Sequence, residues 1–359
     1  MTALQIRSIS IRETKPDEKK LPAYDHTKLS AINTCPTWGI VRYSLHKTLA
    51  GAGRQLALEA GTVSHEGFAA VRLYQLMFVD GYKELADYHG RRCFGDTRWE
   101  RMLGVLSSNS LDRTNIVNFV LETIYSGEYF DDPSDKYRTV ANICESLIAY
   151  CDRWDMKRYP VWIRDPSDPK SDVGIENPFD MMVTIIGERI IQGTAINIER
   201  TIRYTGKIDG IHWDKKEILP MENKTGFRID EAWLAQWLLS HQITGYALAT
   251  GTFVGAEVSK ARILGMKIPI GRSPLDGIKT ENTSRGPDSI IKWGEWLVHT
   301  VEIEREFIED IPHAPMYTHS CNRYFRPCSM LAYCTADSEE KEQILSEMRV
   351  EEWSPLDDD

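Results

Sequence analysis

Apolar residues recur at helical spacing through the first half of the chain and alternate with polar ones in much of the second. From about 54 to 158, Phe68, Val71, Leu73 and Leu76, then Ile116, Val117, Phe119, Val120 and Ile124, then Ile143, Leu147 and Ile148 predict helices. The first of these is expected to open on the small residues Ala60 and Gly61. Arg164-Asp165-Pro166-Ser167-Asp168-Pro169 breaks the pattern. Beyond it, Met181–Ile186, Ile190–Ile198, Thr201–Trp213, Glu217–Glu222 and Ala261–Ile270 read as strands, with a helix over 230–250 before the last of them and another over Ile290–Glu309. Strands, then a helix, then a strand predict an α/β core of mixed β-sheet flanked by helices. Residues 1–27, polar and rich in Lys, Glu and Pro, read as a weakly structured arm, and 271–288, with its Pro and Gly, as a mobile loop that is either a substrate clamp or plain solvated surface.

Two strand-like segments carry the most chemistry. Gly206-Lys207-Ile208-Asp209-Gly210 and Met221-Glu222-Asn223-Lys224-Thr225-Gly226 flank the polar turn Trp213-Asp214-Lys215-Lys216-Glu217, which reads as a hairpin connection. Symmetry about the Lys215–Lys216 bond places Asp209 opposite Glu222, and Lys224, two residues on, joins them on the same face. Paired carboxylates repel unless a cation neutralises them, and such hard oxygen ligands suit Mg²⁺ or Mn²⁺. A lysine beside that ion is placed to orient or deprotonate an attacking water. A surface hairpin with a Glu222–Lys224 salt bridge is the plain alternative.

The neighbouring motifs favour the chemistry. Upstream lies Gly61-Thr62-Val63-Ser64-His65, downstream Gln242-Ile243-Thr244-Gly245-Tyr246, whose Gln242 and Tyr246 share a helical face. In the order G-x-x-x-H, G-x-I-D, E-x-K-T-G, Q-x-x-x-Y, the chain resembles the RecB-like branch of the PD-(D/E)XK nuclease superfamily, over about half its length. The residue before Asp209 is Ile208 where that branch usually has proline. The resemblance implies that His65, Asp209 and Glu222 bind the catalytic metal with the backbone carbonyl of Asn223, and that Asp209, Glu222 and Lys224 are catalytic, Lys224 as base or water-orienting group. It implies further that Gln242 and Tyr246 contact nucleic acid or support the site.

Seven cysteines stand at 35, 93, 144, 151, 321, 328 and 334. An isolated Cys35 followed by the trio Cys321, Cys328 and Cys334 resembles the N-/C-terminal iron–sulfur staple of RecB-like nucleases, which implies Cys₄ ligation of a 4Fe-4S cluster. Zinc and plain thiols are the alternatives, although structural zinc sites usually pair cysteines at C-x₂₋₄-C and the gaps here are six and five residues. Cys93, Cys144 and Cys151 read as buried thiols, with Cys144 and Cys151 on one side of a helix. The odd count speaks against a disulfide framework.

Composition adds constraints. The 359 residues, 42% hydrophobic, suffice for a large core, and the longest apolar runs are too short to span a membrane. With no signal-peptide pattern at the start, a cytoplasmic location is expected. Lys and Arg total 43 against 53 Asp and Glu, a net charge of −10 that opposes binding to DNA. The acidic excess gathers in the tail (Glu339 to Asp359), while Lys207, Lys215, Lys216, Lys224, Arg228, Lys260, Arg262, Lys267, Arg272, Lys279 and Arg285 cluster near the site motifs, predicting a local basic groove. No phosphate-binding G-x-x-x-x-G-K-[ST] sequence and no internal repeat occur.

The expected organisation is an arm (1–27), a first nuclease segment with Cys35 (28–66), a helical insertion (67–165), a PD-(D/E)XK core (166–310), a cluster segment (311–336) and an acidic tail (337–359). The expected activity is Mg²⁺- or Mn²⁺-dependent hydrolysis of DNA phosphodiester bonds, as an exonuclease on single-stranded or frayed ends, in recombination, repair or phage DNA metabolism. A recombination or replication protein is an expected partner, and a homo-oligomer is compatible with the sequence. The alternatives are a non-catalytic nucleic-acid-binding or recruiting subunit of a recombination complex, and a zinc-stapled enzyme of RNA processing.

Overall fold

The computed structural model describes residues 4–49, 56–106, 112–127, 129–271, 274–323, 326–354 and 356. Arg272 of the expected basic set and Asp357, Asp358 and Asp359 of the tail lie outside them.

In chain order the elements begin with β1 (Leu4–Glu13), β2 (Ala23–Tyr24), α1 (His26–Thr34), α2 (Pro36–Tyr43), β3 (Lys47–Thr48), α3 (Leu56–Phe78), α4 (Lys83–Gly104), α5 (Arg113–Tyr125) and α6 (Val140–Arg153). There follow β4 (Ile175–Ile191), β5 (Thr194–Asp214), β6 (Glu217–Gly226), α7 (Glu231–Ala235), α8 (His241–Val254), β7 (Lys260–Lys267) and β8 (Ile278–Ser284). The chain continues through α9 (Pro287–Phe307), the short β9 (Asn322–Arg323) and β10 (Arg326–Pro327), α10 (Leu331–Thr335), α11 (Ser338–Glu347) and β11 (Arg349–Val350). The fold is α/β, a mixed sheet flanked by helices. No helix among the described residues is long and apolar enough to cross a membrane.

The chain divides into two compact units. The first comprises 1–54, 179–206 and 287–359. Within it β1 pairs antiparallel with β4, β2 runs parallel to β5, and α9 packs on β1 so closely that a Cβ at Gly294 would sit 2.6 Å from Ile9 Cδ1. Helices α1 and α2 share an apolar cluster with the C-terminal segments through Ile32, Ile40, Val41, Ile303, Met330 and Tyr333. Asp25 caps α1 by accepting from the Lys28 amide at 2.7 Å, and Pro36 opens α2, where a missing N–H costs nothing.

The second unit comprises 55–178 and 207–286. Helices α3 to α6 bury Phe68, Leu73, Tyr74, Trp99, Phe119, Leu147 and Tyr150 in one core. The β5–β6 hairpin pairs Gly210 with Met221 and continues to Asp214 with Glu217, the expected register, closed by Lys215 at φ 59°. A two-residue turn with a left-handed first position fits the strand twist, which is why the symmetric reading holds. β6 then runs parallel to β7, and β7 antiparallel to β8. Both α3 and α8 pack against β6.

Four expectations change. The polar arm contains the ten-residue strand β1, whose register shifts between Ile6 and Ser8; this bulge moves the apolar positions from Leu4 and Ile6 to Ile9 and Ile11 and hides the alternation. The loop read over 271–288 contains β8, a polar strand (Ile278-Lys-Thr-Glu-Asn-Thr-Ser) held by backbone pairing to β7. The helix read over 230–250 is interrupted, with Ser240 capping α8 at its start. The expected boundary at 66/67 falls inside α3, which begins at Leu56, so Gly61 and His65 lie within the helix and not at its opening.

Candidate functional site

The site is built entirely from the second unit, on α3, the start of β4, the β5–β6 hairpin and the first turn of α8. The backbone ladder of the hairpin ends at Gly210–Met221, one pair short of Asp209 and Glu222. Where the strands part, side chains take over: Asp209 Oδ2 accepts from the Asn223 amide at 2.7 Å, and Asp209 Oδ1 lies 3.4 Å from His65 Nδ1. Asn223 thus acts on the site through its amide as a donor.

Glu176 joins this pair, a residue the sequence reading did not single out. Ligating atoms of His65, Glu176 and Asp209 all lie within 4.8 Å of one another, close enough for one ion. Glu176 holds a φ of 45°, a strained conformation for a residue with a side chain, and such strain concentrates at functional positions. Its Oε2 faces Lys207 Nζ at 3.3 Å, while Oε1 is buried without a hydrogen-bond partner.

Glu222 stands on the β6 face that meets α8. It is 1% exposed, pairs with Lys224 through Oε1, and accepts at the same oxygen from Gln242 Nε2 at 2.9 Å. Its Oε2 is buried and unpartnered. Gln242 also donates to Tyr246 Oη at 3.1 Å, so of the two expected roles, contact with nucleic acid or support of the site, the geometry shows the second, and Tyr246 is itself buried. Met221 and Asn223, alternating with Glu222, face the other way and meet Arg72 of α3.

The electrostatics follow from crowding buried acids. Burial, and then the charge of Asp209, push the Glu222 carboxyl up to about 7, against the opposing pull of Lys224. Glu176 is likewise raised by burial and by Asp209. Burial would raise Asp209 too, but His65, Lys224 and the Asn223 amide outweigh it and hold its pKa below the ordinary value. For His65 and Lys224 burial favours the neutral form, yet the neighbouring carboxylates win and raise both. Without a metal, Lys224 is therefore held protonated, which suits orienting a water better than deprotonating one. The orphaned Glu176 carboxylate oxygen, the His65 imidazole and the Asp209 carboxylate form a hard donor set that fits Mg²⁺ or Mn²⁺, while Glu222, whose Oε2 is orphaned too, is not among the residues whose ligating atoms converge.

The first unit gathers the other predicted group. Cys35, Cys321, Cys328 and Cys334 line one cavity of about 210 Å³, with Trp38 and Met330 in its wall. Burial and the three other sulfurs push the Cys334 thiol up to about 11, and Cys328 is raised by burial and by Cys35 and Cys321. Four cysteine sulfurs lining one cavity suit a cationic metal group. Cys144 and Cys151 are buried on α6, and Cys93 is half-buried on α4.

The expected basic groove takes a different form. Lys224, Lys207, Arg228, Lys260 and Arg262 each face a carboxylate, and Arg262 and Arg285 are buried. Arg285 donates to the carbonyls of Trp237, Leu238 and Ser284, so its charge serves packing. Compared with known proteins, the chain matches no family model and no curated protein.

Proposed function

We propose that the chain is a metal-dependent DNA nuclease of the RecB-like PD-(D/E)XK type, acting as an exonuclease on single-stranded or frayed ends, with a 4Fe-4S cluster held by Cys35, Cys321, Cys328 and Cys334. The observation that carries the proposal is the convergence of His65, Glu176 and Asp209 on one point beside the Glu222–Lys224 pair, with His65, Asp209, Glu222 and Lys224 in the motif order of that superfamily.

His65, Glu176, Asp209 and Glu222 would hold the divalent ion. When bound, the ion supplies Lewis acidity toward the scissile phosphate and lowers the pKa of a coordinated water. Lys224 Nζ orients the attacking water and offsets charge developing on the phosphate. The Asn223 amide fixes Asp209, and Gln242, steadied by Tyr246, fixes Glu222, so both carboxylates are set before substrate arrives. The net charge of −10 and the pairing of nearby cations make binding to the duplex backbone weak, which agrees with action at ends.

The test is digestion of 5′- and 3′-labelled single- and double-stranded DNA, and of RNA of the same sequence, with Mg²⁺, with Mn²⁺ and with chelator. The proposal expects metal-dependent loss of DNA label, fastest on single strands. Equal degradation with chelator, or attack on RNA alone, would refute it.

A further inference from the structure

Asp209 is gripped by helix α3 at two points. His65 meets its side chain, and Arg72, seven residues on and hence on the same helical face, donates through Nη1 to its main-chain carbonyl at 3.1 Å. The other arm of the guanidinium reaches β6: Arg72 Nη2 lies 3.4 Å from Asn223 Oδ1 and 3.5 Å from Met221 Sδ, the residues on either side of Glu222. The guanidinium therefore bridges β5 and β6 where their backbone ladder has stopped.

Arg72 is 1% exposed and has no carboxylate partner among the described residues. A buried cation without a counter-ion is costly, and a fold that keeps one is using its geometry or its charge. Gly210 shows how closely it is seated: a Cβ there would lie 2.8 Å from Arg72 Cζ and 2.9 Å from Nη1. The glycine next to Asp209, in the last pair of the ladder, is thus required for the planar group to lie on the strand. The ring of Trp154, 5.4 Å from the guanidinium carbon, covers it.

We infer that Arg72 is a positioning residue of the metal site, its planar fork setting the separation of Asp209 and Glu222 before any ion binds. The inference rests on the metal-binding reading above. It assigns the work to the fork and not to the positive charge alone, because Lys at this position would keep the charge but could not reach both strands in one plane.

The experiment is calorimetric titration of the full-length protein with Mn²⁺, alongside thermal melts and amide exchange in the metal-free state, for wild type, Arg72→Lys, Gly210→Ala and Asp209→Asn. Arg72→Lys is expected to bind Mn²⁺ about tenfold more weakly at temperatures where it is folded, with faster exchange of the Asn223 amide. Gly210→Ala, which displaces the guanidinium while leaving residue 72 intact, is expected to do the same. Lowered melting temperatures with unchanged Mn²⁺ affinity in both variants would make Arg72 a purely structural residue and overturn the inference. Unchanged affinity in Arg72→Lys alone, with weakened binding in Gly210→Ala, would assign the role to charge and also overturn it. Failure of the metal reading looks different: Mn²⁺ then binds wild type and Asp209→Asn equally, or neither.

Discussion

Gln242 Nε2 donates to Glu222 Oε1 at 2.9 Å, so the first turn of α8 holds a buried carboxylate of β6 in place. Gln242→Leu removes that donor while preserving bulk, and is expected to lower cleavage about tenfold to a hundredfold and to weaken Mn²⁺ binding. Tyr246→Phe, which deletes only the oxygen that steadies Gln242, should give a smaller loss. Melting temperatures of both should stay close to wild type; a large drop in stability with normal specific activity would assign the two residues to the core.

Lys224 is predicted to have a separable role. Lys224→Ala is expected to keep DNA and Mn²⁺ binding yet lose on the order of 10² to 10⁴ in rate. Single-turnover cleavage beside a binding isotherm measures the split, and parallel losses in affinity and rate would contradict it.

Glu176 is predicted to be a ligand. Glu176→Gln preserves size and removes the charge, and should weaken Mn²⁺ binding at least tenfold while raising metal-free stability, because an acid repelled by Asp209 is neutralised. Titration and melting of the metal-free protein check both signs.

How much of this was legible in the sequence depends on which interactions are local. The hairpin register followed from a two-residue turn, and the α8 pairing of Gln242 and Tyr246 from helical spacing, since both are set by neighbours along the chain. Glu176 was not legible, because it sits outside every motif at the start of β4, with a backbone angle nothing in Ile175-Glu176-Asn177-Pro178 announces. Arg72 was hidden for the opposite reason: it lies among apolar residues of a helix, and only the tertiary arrangement shows what its guanidinium meets. Some of the cations counted as a groove are paired or buried by partners distant in sequence, as Arg262 is by Asp214 and Asn282, whereas Lys215 and Lys216 stay exposed in the hairpin turn.

The cysteine cavity predicts its content. Protein purified without oxygen should be brown and carry close to four iron atoms per chain if Cys35, Cys321, Cys328 and Cys334 hold a cubane cluster. Cys328→Ser should lose the colour and lower the melting temperature. Stoichiometric zinc without iron after anaerobic reconstitution would contradict the cluster.

Asp25 makes stability depend on pH in a known direction. Burial raises its carboxyl to about 6, against the hydrogen bonds it accepts in capping α1, from an ordinary value of 3.8. The folded state therefore holds this proton more tightly than the unfolded one, so the contribution is fully present below about pH 4 and is lost as pH rises through about 6. Asp25→Asn keeps the cap without ionising and should be more stable than wild type above pH 6, by about 1–3 kcal/mol. Denaturant melts at pH 4 and pH 7 measure the difference; an identical gap at both values would contradict the assignment.

The central claim is that the acids converging with His65 make this chain a metal-dependent nuclease, and its most direct measurement is the rate of label release from single-stranded DNA by wild type and Asp209→Ala, in Mg²⁺ and in chelator. The account predicts rapid release by wild type in Mg²⁺ and none in the other three conditions. Undiminished release by Asp209→Ala in Mg²⁺, or by wild type in chelator, would contradict it.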